Sequence, residues 1–320
     1  MYGIWGEEAG ISTVADRGCL PACTTADGLE RNVPCCAGTA GESNDDAQRV
    51  RELQAEVAEL RRMQAVIHRS FFEAAQVQRR LCAPREVRMG DFEIAGEIFP
   101  ARHLSGDFFK VIELDGALGI IVGDVAGKGL SAGIWMPHLI SLLQGNALAY
   151  ANPAEVLARA NRELCSACGQ PPLVAAFFAR IDVRDGGVEY CNAGLPSPVI
   201  LQRDSNSVLL DAGGPMLGAV PEARYQSGRA QLGPGGSLIA YSDGLTECEN
   251  PREEEFETAR LLKAARTFAP GSASQMLFST LGAVMDFAGG RAPADDLTLL
   301  VVRRAAALSA RYAPAETFLQ

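Results

Sequence analysis

The sequence predicts an α+β protein in which a long helix precedes a layered domain of strands and helices. Three observations carry that prediction. Apolar residues fall at 3,4 spacing from Val50 to Leu81; short strand-like runs separated by Gly-containing turns recur from Phe92 to Arg303; two helical stretches in the middle and two near the end interrupt those runs. A chain of 320 residues with 48% hydrophobic content can bury a full-sized core, and its length suits one large domain with a smaller addition, or two domains.

Taken in order, residues 1–45 mix Gly, Ser, Thr, Cys and acidic residues with no sustained period and read as a poorly ordered tail. Residues 46–83 follow a heptad with a positions at 50, 57, 64, 71 and 78 and d positions at 53, 60, 67, 74 and 81, interrupted by Gln64 and Gln78. Such a pattern predicts a coiled coil that makes a homodimer through 46–83, with the polar a positions setting register at some cost in stability. The alternative is one amphipathic helix packed on its own domain. Pro84 should stop the helix, because the residue before a proline disfavours helical backbone.

The next region, 88–304, opens with a strand at Phe92–Phe99 and a hairpin, Phe108–Leu114 and Leu118–Asp124 around Asp115-Gly116. A helix over Leu130–Tyr150 follows, then another whose start is marked by Asn152 as N-cap and Pro153 at the first helical position. Strands are expected at Leu173–Val183, Gly187–Ala193, Val199–Gln202 and Ser237–Tyr241, helices near Thr258–Phe268 and Ser272–Phe287, and a closing strand at Leu297–Arg303, with 305–320 as a tail.

Bulk charge narrows the function. A formal net charge of −10 argues against a nucleic-acid partner, since phosphate backbones are bound through clustered Lys and Arg. The first ten residues lack a basic n-region and no apolar run approaches the ~20 residues of a membrane span, so a cytoplasmic protein without a membrane span is expected. The nine cysteines form an odd set, with Cys19, Cys23, Cys35 and Cys36 near the N-terminus, and read as free thiols. A zinc site on those four, or on Cys165 and Cys168, is the competing reading.

The chemistry lies in acidic residues at strand ends: Asp107 in Ser-Gly-Asp-Phe-Phe, Asp124 in Gly-Asp-Val-Ala-Gly-Lys-Gly, Asp243 in Ser-Asp-Gly, and the pair Asp295-Asp296 before the last strand. Carboxylates gathered there are oxygen ligands for a hard cation such as Mg²⁺ or Mn²⁺. One Asp-Gly alone is turn chemistry. Six motifs in order are more specific: the first two above, Asn192-Ala193-Gly194, Gly213-Gly214-Pro215-Met216-Leu217-Gly218, Tyr241-Ser242-Asp243-Gly244-Leu245-Thr246-Glu247 and Asp295-Asp296-Leu297-Thr298. Together they resemble the SpoIIE/RsbU-type branch of the metal-dependent (PPM) protein serine/threonine phosphatases over about residues 88–304.

The resemblance implies an α-β-β-α sandwich phosphatase domain preceded by a coiled-coil helix, with two Mn²⁺ or Mg²⁺ ions at one edge of the sheets. Asp124 is then the bridging ligand, the carbonyl of Val125 completes the second site, Asp243 and Asp295 hold the first ion with Asp107 beside it, and Asp296 orients ligands or water. The reaction it implies is direct hydrolysis of phosphoserine or phosphothreonine on a regulatory protein, a STAS-type anti-anti-sigma factor in a partner-switching pathway. No phosphoenzyme and no Cys-x5-Arg nucleophile loop are expected. Upstream of Asp107, Arg102 is placed to clamp phosphoryl oxygens and His103 to donate to the leaving oxygen; a solvated loop is the other reading. Lys128 draws in phosphate or is a solvated surface charge, and His138 is a packed or surface histidine. Leu195 stands where many relatives have His, and Glu257 where they often have Gly, which bears on substrate preference and loop shape. The alternatives are a catalytically silent scaffold with a phosphatase-like fold and a hydrolase of small phosphoesters.

Overall fold

The computed structural model describes residues 42–82, 85–167, 170–204, 206–269 and 271–306. The chain divides into two compact units, Met1–Glu59 and Leu60–Gln320. The described part of the first is the opening of helix α1 (Glu42–Leu81), whose 40 residues begin four positions before the expected start at 46. Most of the N-terminal tail with its four cysteines, Pro84, Cys168 and the C-terminal tail from 307 lie outside the described residues.

In chain order the second unit continues with β1 (Glu86–Met89), β2 (Phe92–Phe99), β3 (Phe108–Leu114), β4 (Ala117–Val125), α2 (Leu130–Ala149), α3 (Pro153–Ala167), β5 (Val174–Asp182), β6 (Gly187–Ala193) and β7 (Val199–Leu201). It closes with β8 (Ser207–Leu209), β9 (Gly213–Gly214), β10 (Gly228–Gln231), β11 (Ser237–Tyr241), α4 (Asp243–Thr246), α5 (Glu257–Thr267), α6 (Ala273–Ala288) and β12 (Leu297–Arg304). One sheet has the order β1-β2-β12-β11-β7-β8; the other runs β10-β6-β5-β4-β3, with β9 parallel to β6.

Strand alternation explains the layers. Leu118, Ile120 and Val122 of β4 meet Phe177, Leu238, Ala240, Leu300 and Val302 in a core between the sheets. The intervening residues Ile121 and Val125 turn outward to Met136, Leu139, Leu143 and Leu157 of α2 and α3. On the opposite face Ile239, Tyr241, Leu299 and Val301 pack on Leu261, Met276, Leu277 and Val284 of α5 and α6. The result is the expected α-β-β-α sandwich. The start of α3 is as read from sequence, with Asn152 Oδ1 accepting the Ala154 N–H at 2.9 Å. A capping box of Ser272 and Gln275 opens α6. Among the described residues no helix is long and apolar enough to cross a membrane.

The heptad of α1 divides into two stretches. Val50, Leu53, Val57, Leu60 and Ile67 are 44–55% exposed, whereas Phe71 and Ala74 are half-buried and Gln78 is buried. From Phe71 to Gln78 the stripe faces the chain's own domain, and Leu81 is exposed again, so the stretch 71–78 is already covered within one chain. Gln78 Nε2 donates to the carbonyls of Ser105 (3.2 Å) and Gly133 (2.9 Å), and its Oε1 accepts the Ser105 N–H at 3.2 Å. What reads in sequence as a polar break in a coiled coil is a side chain joining α1 to α2 and to the loop before Asp107. Gly133 permits that approach: a Cβ there would lie 2.8 Å from Leu104 Cβ and 3.0 Å from Gln78 Nε2.

Candidate active site

Register brings the aspartates to one edge of the sandwich. In one sheet Phe108 faces Gly123, which sets Asp107 just before β3 beside Asp124 near the end of β4. In the other, Tyr241 faces Leu299, so Asp243 at the start of α4 and Asp295-Asp296 ahead of β12 emerge together. Thr298 ties the sheets, its Oγ1 donating to Asp107 Oδ2 at 2.6 Å.

Asp107 is 2% exposed. Burial first, then the charge of Asp124, hold its carboxyl well above the ordinary range, against hydrogen bonds from Thr298 and Ser242 that favour the anion. Asp124 is pushed up to about 6, chiefly by burial, with Asp243, Asp295 and Asp296 adding to the rise and a hydrogen bond with Asp107 opposing it. Glu247, which follows α4, is raised by burial and then by Asp243, Glu255 and Asp295. Crowded carboxylates that resist ionisation together are the donor chemistry a hard divalent cation relieves, so these residues fit such an ion. Among the described residues, however, no group of three or more His, Cys, Asp or Glu converges as a formed metal cage.

Asp296 has a separate place. Its Oδ1 accepts the Ala101 N–H at 2.8 Å, and its Oδ2 accepts Ser105 Oγ–H at 2.8 Å and the Gly106 N–H at 2.9 Å. Both oxygens are thus spent on the loop that carries Arg102, His103 and Asp107. Asp295 Oδ1 accepts the Asp296 N–H at 2.9 Å, and its Oδ2 lies 2.6 Å from Lys128 Nζ. Val125 is buried at the end of β4, opposite Val174.

The remaining candidates are distributed unevenly. Arg102 is exposed and lies beside Gly129 in the turn after Asp124. His103 is exposed, but its ring packs against α1, 4.7 Å from the His68 ring and 5.1 Å from Phe71. His138 is a surface residue 5.8 Å from Trp135. Leu195 is buried in the core between the sheets, where an imidazole would need a partner. The Cys-x5-Arg spacing, expected to be absent, does occur once at Cys82 and Arg88. It forms no nucleophile loop: burial raises the Cys82 thiol, and Arg88 pairs with Glu93 across β1 and β2 at 2.9 Å. Ser105, Ser242 and Thr298 have no role in the sequence reading although they lie inside quoted motifs, and Gln78 is read there only as a polar heptad position.

Comparison with known proteins finds a matching family and several relatives. The family described as Stage II sporulation protein E (SpoIIE) matches residues 114–305. The chain is 26% identical over 248 residues to phosphoserine phosphatase RsbU of Bacillus subtilis (strain 168), covering 77% of this chain and 73% of that protein. It is 28% identical over 243 residues to protein IcfG of Synechocystis, covering 64% of this chain and 37% of that protein, so it spans little more than a third of that relative. The solved structure of the RsbU and RsbW domains of a Mycobacterium tuberculosis protein matches with a TM-score of 0.60 at 26% identity, covering 70% of this chain and 63% of that one.

Proposed function

The chain belongs to the SpoIIE family, within the SpoIIE/RsbU branch of PPM phosphatases, and we propose on that premise that it is a metal-dependent protein serine/threonine phosphatase acting on a STAS-type regulatory protein in the cytoplasm. The observation that carries the proposal is the pairing of buried Asp107 with half-buried Asp124, beside Asp243 and Asp295 at one sheet edge. In this reading Asp124 would be shared by two Mn²⁺ or Mg²⁺ ions, the Val125 carbonyl would serve the second, and Asp243 and Asp295 would hold the first with Asp107 alongside. Bound there, the ions supply charge neutralisation and lower the proton affinity of a water. Asp296 fixes the 101–106 loop, and with it Arg102, whose planar guanidinium suits phosphoryl oxygens. His103, packed on α1, is less free to reach a leaving oxygen.

The STAS substrate is supported by the phosphoserine phosphatase RsbU and by the relative whose structure contains RsbU and RsbW domains. A homodimer is proposed over the exposed stripe from Val50 to Ile67, a shorter seam than 46–83. The deciding experiment measures phosphate released from a phosphoserine STAS protein with Mn²⁺, against Asp124→Asn and against a small phosphoester. Loss of at least about a hundredfold in the variant, and preference for the protein substrate, are expected. Release by Asp124→Asn at the unmodified rate would overturn the proposal, and preference for the small ester would move the substrate class.

A further inference from the structure

Lys128 sits in the turn Ala126-Gly127-Lys128-Gly129 that joins β4 to α2. Its neighbours take left-handed backbone, Gly127 at φ 108° and Gly129 at φ 78°, which a side chain would resist. That turn sends the lysine away from its own sheet toward the segment ahead of β12. There Nζ donates to the Ala294 carbonyl at 2.9 Å and pairs with Asp295 Oδ2 at 2.6 Å. Both side chains are about two-fifths exposed, at 41% and 40%, so the pair can exchange with ions from solvent. Since Asp295 Oδ1 already accepts the Asp296 N–H, Oδ2 is the oxygen with which Asp295 would most directly meet a cation.

We propose that Lys128 competes with the divalent cation for Asp295, so that metal affinity at the first site is set by an internal ammonium as well as by the carboxylates. The inference rests on the phosphatase reading above, which makes Asp295 a ligand. An ammonium and a metal ion cannot both approach one carboxylate oxygen closely without mutual repulsion, so Nζ withdraws when the cation enters. Its bond to the Ala294 carbonyl can keep it at the rim as it does so. The lysine lowers metal affinity and offsets the charge of Asp295 felt by Glu247, which Asp295 raises and Lys128 lowers.

The test is calorimetric titration of Mn²⁺ into the full chain stripped of metal, a readout independent of turnover. Lys128→Gln and, as a second neutral variant, Lys128→Met are expected to bind Mn²⁺ about three- to fivefold more tightly, the scale of an exposed ion pair. Lys128→Arg, which keeps the charge, should stay near the unmodified affinity. In an Asp295→Asn background the gain from Lys128→Gln should shrink to less than half, because the competing pair is already gone. Unchanged or weaker binding by both neutral variants overturns the inference, and so does an equal gain with Asp295 replaced, which would reveal only long-range charge. Absence of Mn²⁺ binding by the unmodified chain would remove the metal reading as well; binding without a Lys128 effect removes this inference alone.

Discussion

Glu257 opens α5 with φ 61°, in the left-handed region that a side chain makes costly. It is the position where the family resemblance implies Gly, and a left-handed backbone is the conformation that glycine suits. Glu257→Gly is expected to stabilise the fold by about 0.5–1 kcal/mol, relief of local strain exceeding the added freedom of the unfolded chain, read as a rise in Tm. Thr298 offers a second test at this scale. Thr298→Val keeps the shape but removes the donor to Asp107 Oδ2, a bond that favours the anion, so the Asp107 carboxyl moves further up. The acid limb of the pH–rate profile should shift to higher pH, with about tenfold less activity at pH 7; an unshifted limb would deny Asp107 a place in it. The aspartates were legible because each sits in a short motif at a strand end. Thr298, Ser105 and Asp296 act through contacts about 190 positions away in sequence, which no local pattern expresses.

At the scale of elements, α1 shows what periodicity leaves open. A 3,4 stripe states that a helix has one apolar face; it does not state what covers that face. The structure covers Phe71, Ala74 and Gln78 with the chain's own domain and leaves Leu60 and Ile67 half-exposed. Gln78→Ala should cost about 2 kcal/mol, because Ser105 N–H and the carbonyls of Ser105 and Gly133 lose their partner in a buried place. Denaturant unfolding of the isolated variant measures it, and a change below a few tenths would make the bridge incidental. Strands made of near-continuous apolar runs, such as β4, β11 and β12, are legible in the sequence to within a residue or two. Strands β8 and β10 were not, since Ser207–Leu209 is exposed along its length and Gly228–Gln231 carries one small apolar side chain on a sheet edge.

Across the whole molecule the carboxylate edge links stability to pH and metal. Asp124 titrates near 6 in the fold against 3.8 unfolded, so between those values the folded state holds a proton that the unfolded chain releases. Stability from this group is complete below about pH 4 and is lost as pH rises through about 6; Asp107, shifted the same way, adds to the loss. With a chelator present, Tm should therefore be several degrees higher at pH 5 than at pH 7.5, and Mn²⁺ should flatten or invert that slope by favouring the ionised forms. A chelated protein whose Tm rises over the same interval would contradict the burial described for the pair. Under the pairing proposed for its exposed stripe, α1 is a shaft whose angular phase matters. One residue inserted between Ile67 and Phe71 turns Leu60 and Ile67 by about 100° relative to Gln78, whereas seven return them to within about 20°. Chains lengthened by seven should then keep both their association state and their activity, while chains lengthened by one keep the domain but lose the alignment of its two contacts, a difference that light scattering and phosphate release can separate.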